Sequence, residues 1–90
     1  MTDEQGASGE RPIGQVTHYF SKAGVMAVEL SDTLSVGDQI HVVGHTTDFV
    51  ATVGSMQIEH EAVPKAGTGD SVGIKIEERA RPGDMVYRTP

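Results

Sequence analysis

Gly69-Asp70-Ser71-Val72-Gly73-Ile74-Lys75-Ile76-Glu77 decides the fold class of this 90-residue chain. Val72, Ile74 and Ile76 alternate with Gly73, Lys75 and Glu77, which is the two-residue period of a half-buried β-strand. The Gly-Asp pair ahead of it signals a turn. Glycine reaches backbone angles that other residues avoid, and an aspartate side chain bonds nearby backbone amides. The same device stands at Val36-Gly37-Asp38 and at Pro82-Gly83-Asp84-Met85-Val86, each time at the entry to an apolar run.

Working outward, the rest of the chain has the same texture. Residues 13–20 are rich in β-branched and aromatic types, with Val16, His18 and Phe20 expected on one face and Thr17 and Tyr19 on the other. Ser21-Lys22-Ala23-Gly24 is a tight turn with Gly24 free to take positive φ. The chain returns as a strand on which Met26, Val28 and Leu30 share a face. Residues 39–43 and 49–53 make two more strands around the polar cluster His45-Thr46-Thr47-Asp48, and Phe49, Ala51 and Val53 alternate with Val50 and Thr52. Gly54 interrupts that run before Met56, Gln57 and Ile58 continue it. Residues 59–69 are the least regular, and a single helical turn fits near residues 59–63. Met85, Val86 and Tyr87 form a last short strand. Apolar residues nowhere hold helical spacing through ten positions. Six or seven short strands with glycine turns predict an all-β fold, a small closed antiparallel barrel whose closure removes exposed edges.

Residues 1–11 hold almost nothing to bury and are expected to be a flexible tail, with residues 12–90 a single barrel domain. Hydrophobic residues are 37% of the chain and aromatic residues 4%, with no Trp, so the core is expected to be Val, Ile, Leu and Met. Without Cys there is no disulfide framework, thiolate metal site or cysteine nucleophile. No run approaches the ~20 apolar residues that span a bilayer, and the polar N-terminus lacks the apolar stretch of a signal peptide. A cytoplasmic location, with no membrane partner, is the expectation. The net charge of −6 argues against the global basic footprint of a nucleic-acid binder, though a local patch is compatible with it.

Few residues suggest chemistry. His41 and His45 stand four apart, about 13 Å along an extended strand. That is too far for both to reach one ion with nitrogens at about 2.1 Å. No metal or cofactor is expected. Asp38, Asp70 and Asp84 are expected to cap their own turns rather than to gather around a cation. Neither a Ser-His-Asp order nor a glycine-rich phosphate loop is present, so the chain is expected not to be an enzyme. Lys75, Arg79, Arg81 and Arg88 fall near the C-terminus and Lys22 at the first hairpin turn. They form either a basic patch or a mixed-sign surface, depending on how the fold places them.

The ordered set of Gly-Asp turns, together with Val53-Gly54-Ser55-Met56-Gln57-Ile58, resembles the second domain of elongation factor Tu and its GTPase relatives. The resemblance runs over residues 13–89 and is nearest to the small proteins called translation elongation factor-like. A similar barrel ends the collagenase-like peptidases. In elongation factor Tu this domain packs on the GTPase domain and holds the aminoacylated end of tRNA. This chain lacks the Gly-x-x-x-x-Gly-Lys-Ser/Thr segment, so GTPase activity does not carry over. Its hairpin turn keeps one cation and one glycine, Lys22 and Gly24, and Gln57 stands where the family has a glutamate near the terminal adenosine.

Two functions follow as expectations. One is a non-enzymatic binding module for RNA (a tRNA acceptor end or a ribosome-associated RNA) or for a ribonucleoprotein, with His18, Tyr19, Lys22, Gly24 and Gln57 as the candidate RNA or partner contacts. His18 would stack on a base there. The other is a protein-interaction domain that docks on a separately encoded enzyme or GTPase and binds no nucleic acid.

Overall fold

The computed structural model describes residues 10–90. The strands, in chain order, are β1 (Arg11–Phe20), β2 (Val25–Leu30), β3 (Leu34–Ser35), β4 (Gln39–Val43), β5 (Asp48–Thr52), β6 (Met56–Ile58), β7 (Glu61–Ala62), β8 (Lys65–Ala66), β9 (Ser71–Lys75) and β10 (Met85–Arg88). The chain is all-β, and every pairing is antiparallel. Eight strands form one sheet in the order β5-β4-β10-β1-β2-β9-β6-β7, and β3 pairs with β8 in a two-stranded ladder.

The expected closed barrel is not formed. β5 and β7 are the two edges of the large sheet, and among the described residues no ladder joins them. The reason is local. Gly54-Ser55 takes the chain off β5, and the strands that follow have three residues in β6 and only two each in β7 and β8. Such short strands supply too few backbone bonds to zip an edge shut. The β3–β8 ladder, continued by Val36 N–H to the Pro64 carbonyl (3.0 Å), is tied to the residue after β5 by two bonds, Gly37 N–H to the Val53 carbonyl and Val53 N–H to the Asp38 carbonyl (2.8 Å each). Residues 59–63 form no helical turn, because Glu59 and His60 take positive φ (52° and 69°) and reverse the chain between β6 and β7.

Residues 1–9 of the expected tail lie outside the described residues. Arg11 belongs to the sheet, opposite Arg88 on β10, and Glu10 bonds His41.

The core is aliphatic. Ile13, Val16, Met26, Val28, Leu30, Leu34, Ile40, Val42, Val53, Met56, Val72, Ile74 and Val86 are all at most 2% exposed. Each such side chain contributes about 1.5–3 kcal/mol of burial. Tyr19 and Phe49 pack against this cluster from its rim.

The three Gly-Asp turns share one construction. Asp38, Asp70 and Asp84 each donate their N–H to the carbonyl three residues back, in Ser35, Gly67 and Arg81. The carboxylate of each then accepts the N–H of that same residue, at 2.9, 2.9 and 2.8 Å. The residue before each Asp is a glycine with φ of 99°, 91° or 95°, as the third position of a type II turn requires. The aspartates therefore act as turn clamps, as their sequence positions suggest.

β1 departs from simple alternation. Its register against β2 shifts between Val16 and His18, so Thr17 is a bulge. Val16 is buried, whereas His18 and Phe20 are exposed and Tyr19 turns toward the core. The expected grouping of Val16 with His18 and Phe20 on one face fails because one inserted residue reverses the facing of those after it.

A candidate trough across the outer sheet face

Register alone places one row of residues across five strands. His18 on β1 stands opposite Ala27 on β2, and Ala27 opposite Gly73 on β9. Gly73 stands opposite Gln57 on β6, and Gln57 opposite Ala62 on β7. Residues directly opposite in antiparallel strands share a face, and neighbouring strands lie about 4.8 Å apart. His18 and Gln57, three strands apart, are thus separated by about 14 Å with only Ala27 and Gly73 between them. Two small residues flanked by larger ones leave a trough.

The trough has a volume of about 500 Å³ and is lined by Phe20, Ala23, Val25, Ala27, Gly73 and Gln57, with Glu59 and His60 at one end. Phe20 is 50% exposed, and the His18 ring lies over it with centroids 4.3 Å apart. A half-exposed Phe beside small apolar residues is an apolar patch available to a partner. Gln57 adds an exposed amide that can donate and accept.

The residues expected to bind a ligand therefore divide. Gln57 lines the trough, and His18 stands beside it, its ring against Phe20. Lys22 is exposed in the turn at the tip of the β1–β2 hairpin, and Gly24 holds that turn with φ of 66° while its carbonyl accepts the Ile76 N–H at 2.9 Å. Tyr19 belongs to the opposite side. The Arg79 guanidinium sits 6.0 Å from its ring centroid, and Arg79, Arg81, His18 and Tyr19 border a second hollow of about 280 Å³. The other cations are engaged elsewhere. Lys75 Nζ donates to the Ala23 carbonyl at 3.1 Å, and Arg88 pairs with Asp32 at 3.6 Å. The surface is mixed in sign rather than one basic patch. Phe20 was missing from the expected site. Gly73, a glycine inside an alternating strand, was the available signal for a close approach.

His41 forms a separate constellation that its sequence neighbourhood does not announce. Its Nδ1 lies 2.8 Å from Glu10 Oε2 and its Nε2 lies 2.6 Å from Asp48 Oδ1. The hydrogen bond to Asp48, helped by Glu10, raises its pKa above the ordinary histidine value against the opposing effect of burial. With both ring nitrogens held by carboxylates, His41 has none left to take a proton from a nucleophile. It links the start of β1 to β4 and β5. His45 lies in the turn beyond β4. Among the described residues no group of three or more metal-binding side chains is assembled. Nor does any described helix have the length and apolarity to cross a membrane.

No protein-family model matches the chain. It is 42% identical over 76 residues to an uncharacterised protease of Methanocaldococcus jannaschii, a match covering 83% of this chain and 19% of that protein. It is 36% identical over 78 residues to a collagenase of Porphyromonas gingivalis, covering 84% of this chain and 22% of the collagenase. The chain thus spans about a fifth of the length of these curated relatives. Two crystal structures of the C-terminal domain of a Geobacillus thermoleovorans protein assigned as a U32 peptidase share its fold. One has a TM-score of 0.80 at 19% identity, over 84% of this chain and 96% of that domain. The other has a TM-score of 0.82 at 18% identity, over 87% and 91%.

These matches overturn the resemblance to elongation factor Tu and to translation elongation factor-like proteins. The similarity lies with proteases and with a peptidase's terminal domain. The turns explain the error. Each glycine answers a positive φ and each aspartate clamps its own turn. Tightly turned sheets of many families meet those demands in the same way. The reading of His18, Tyr19, Lys22, Gly24 and Gln57 as contacts for a tRNA acceptor end rested on that resemblance and loses that support.

Proposed function

We propose that this chain is a non-catalytic protein-docking module of the kind that accompanies the catalytic part of U32-type peptidases. Its docking face is the trough formed by Phe20, Val25, Ala27 and Gly73. The observation that carries this reading is the half-exposed Phe20 standing beside a row of small residues that the sheet register sets side by side. Support also comes from the matched proteins, in which the corresponding segment is a small part of a longer protease or peptidase. The partner presents an apolar side chain to the trough, and Gln57 bonds a polar group beside it.

Calorimetric titration tests the proposal. The titrant is the Methanocaldococcus jannaschii relative with the segment matching this chain deleted. Binding is expected, and Phe20→Ala should weaken it about tenfold, a loss of about 1.4 kcal/mol. Absence of binding, or a Phe20→Ala chain that binds equally well, would count against it.

A further inference from the structure

The free edge of β5 has a definite hydrogen-bonding pattern. Val53 donates its N–H to the Asp38 carbonyl at 2.8 Å and accepts the Gly37 N–H at 2.8 Å. The Thr47 carbonyl accepts the Gly44 N–H at 2.7 Å. Backbone groups alternate sides along a strand, so Phe49 and Ala51 share this parity and point at β4. β4 agrees. Its Gln39 carbonyl accepts the Thr89 N–H at 3.0 Å, so Gln39 and His41 face β10 while Ile40 and Val42 face β5. Val50 and Thr52 therefore aim their N–H and C=O groups away from the sheet. Among the described residues no backbone bond meets them.

The surroundings suit an added strand. Val50 is 53% exposed, an apolar β-branched side chain on an open edge. Natural edges are usually blunted by charge, proline or a bulge. Beside this edge lies a hollow of about 430 Å³, lined by Val50 and Thr52 on one side and by Lys75, Ile76, Glu77 and Glu78 on the other. Glu77 and Glu78 are exposed, and the Lys75 ammonium beside them donates to the Ala23 carbonyl. Two carboxylates against one ammonium leave the lining of the hollow negative by one charge.

We propose that the β5 edge is a strand-addition site for an extended segment of a partner protein in which apolar and basic residues alternate. The unpaired backbone row selects an extended polypeptide, and side chains at alternate positions give the preference. An apolar residue packs beside Val50, and lysine or arginine meets Glu77 and Glu78. The site uses residues distinct from the trough and does not depend on the docking proposed there.

The test is an amide NMR titration of the full chain with an end-capped heptapeptide of alternating lysine and valine. Shifts are expected at Val50, Thr52, Glu77 and Glu78, with slowed hydrogen exchange at Val50 and Thr52 and no change at Ala27 or Gly73. Methylating the peptide nitrogens that face β5 should weaken binding about tenfold, as two net hydrogen bonds are lost. Thr52→Pro removes one outward N–H and leaves the β4 ladder intact, so it should weaken binding too. If that variant does not fold, the methylated peptide decides. Equal affinity for the methylated peptide, or no protection of Val50 and Thr52 at millimolar peptide, would overturn the proposal. So would protection that grows with protein concentration alone, which would assign the edge to a second copy. A heptapeptide with glutamate for lysine that binds equally well would overturn the preference for basic residues.

Discussion

Gly69 and Gly44 constrain the chain for different reasons. At Gly69 the φ of 91° is the whole demand, since a Cβ there would meet nothing within 4 Å. Gly69→Val should therefore cost the backbone penalty alone, about 1–2 kcal/mol. At Gly44 an added Cβ would collide with the Asp84 carboxylate. Asp84 is buried and clamps the last turn through its other oxygen. Gly44→Ala should cost at least as much, about 1–3 kcal/mol, because the clamp must shift. Urea unfolding checks both, and unchanged midpoints would refute the assignments. His41 gives a pH signature. Its folded pKa is raised, so its contribution to stability is full below the unfolded value of about 6.5 and is lost as pH rises through the folded value. The stability difference between the parent chain and His41→Gln should be largest just below the unfolded value of about 6.5 and should shrink as pH rises above it. An effect of about 1 kcal/mol or less suits a pair whose Asp48 partner is 76% exposed. A pH-independent difference would argue against the Glu10–His41–Asp48 arrangement. The turn glycines were legible in the sequence because each sits beside its aspartate. His41's partners were not, since they lie 31 and 7 residues away and meet it only through folding.

At the scale of elements, β1 shows where alternation misleads. Its β-branched and aromatic content predicted a strand correctly, and Met26, Val28 and Leu30 on β2 are buried together as their spacing implied. The bulge at Thr17 left no mark in the residue types, and it sends Phe20 outward rather than inward. Paired substitutions test this facing. Val16→Ala should destabilise the fold by about 1–3 kcal/mol through lost burial and the cavity left behind. Phe20→Ala should change stability by no more than about 0.5 kcal/mol, as expected of an exposed position. Thermal denaturation of the two variants would contradict the facing if Phe20→Ala proved the more harmful. The short ladders of β7 and β8 were hidden for another reason. Pro64 and the glycines around them look like loop, and two-residue strands exist only through the partners that folding supplies.

The whole molecule joins an aliphatic core to a sheet that stays open, with a trough on one face and an unpaired edge at β5. The all-β class and the strand positions followed from apolar alternation and turn residues. Closure did not, because it depends on strand lengths and edge contacts that local sequence does not set. Of the trough's lining, Gln57 was legible, and His18 was legible as the ring beside Phe20. The rest, Phe20, Ala27 and Gly73, is assembled by register between strands far apart in the chain. The most direct test of the docking account is hydrogen exchange of this chain, alone and mixed with the Methanocaldococcus jannaschii relative lacking its matching segment. The account predicts slowed exchange over β2, β9 and β6 around Val25, Ala27 and Gly73, abolished by Phe20→Ala. Exchange that is unchanged in the mixture, or slowed only on strands away from the trough, would contradict it.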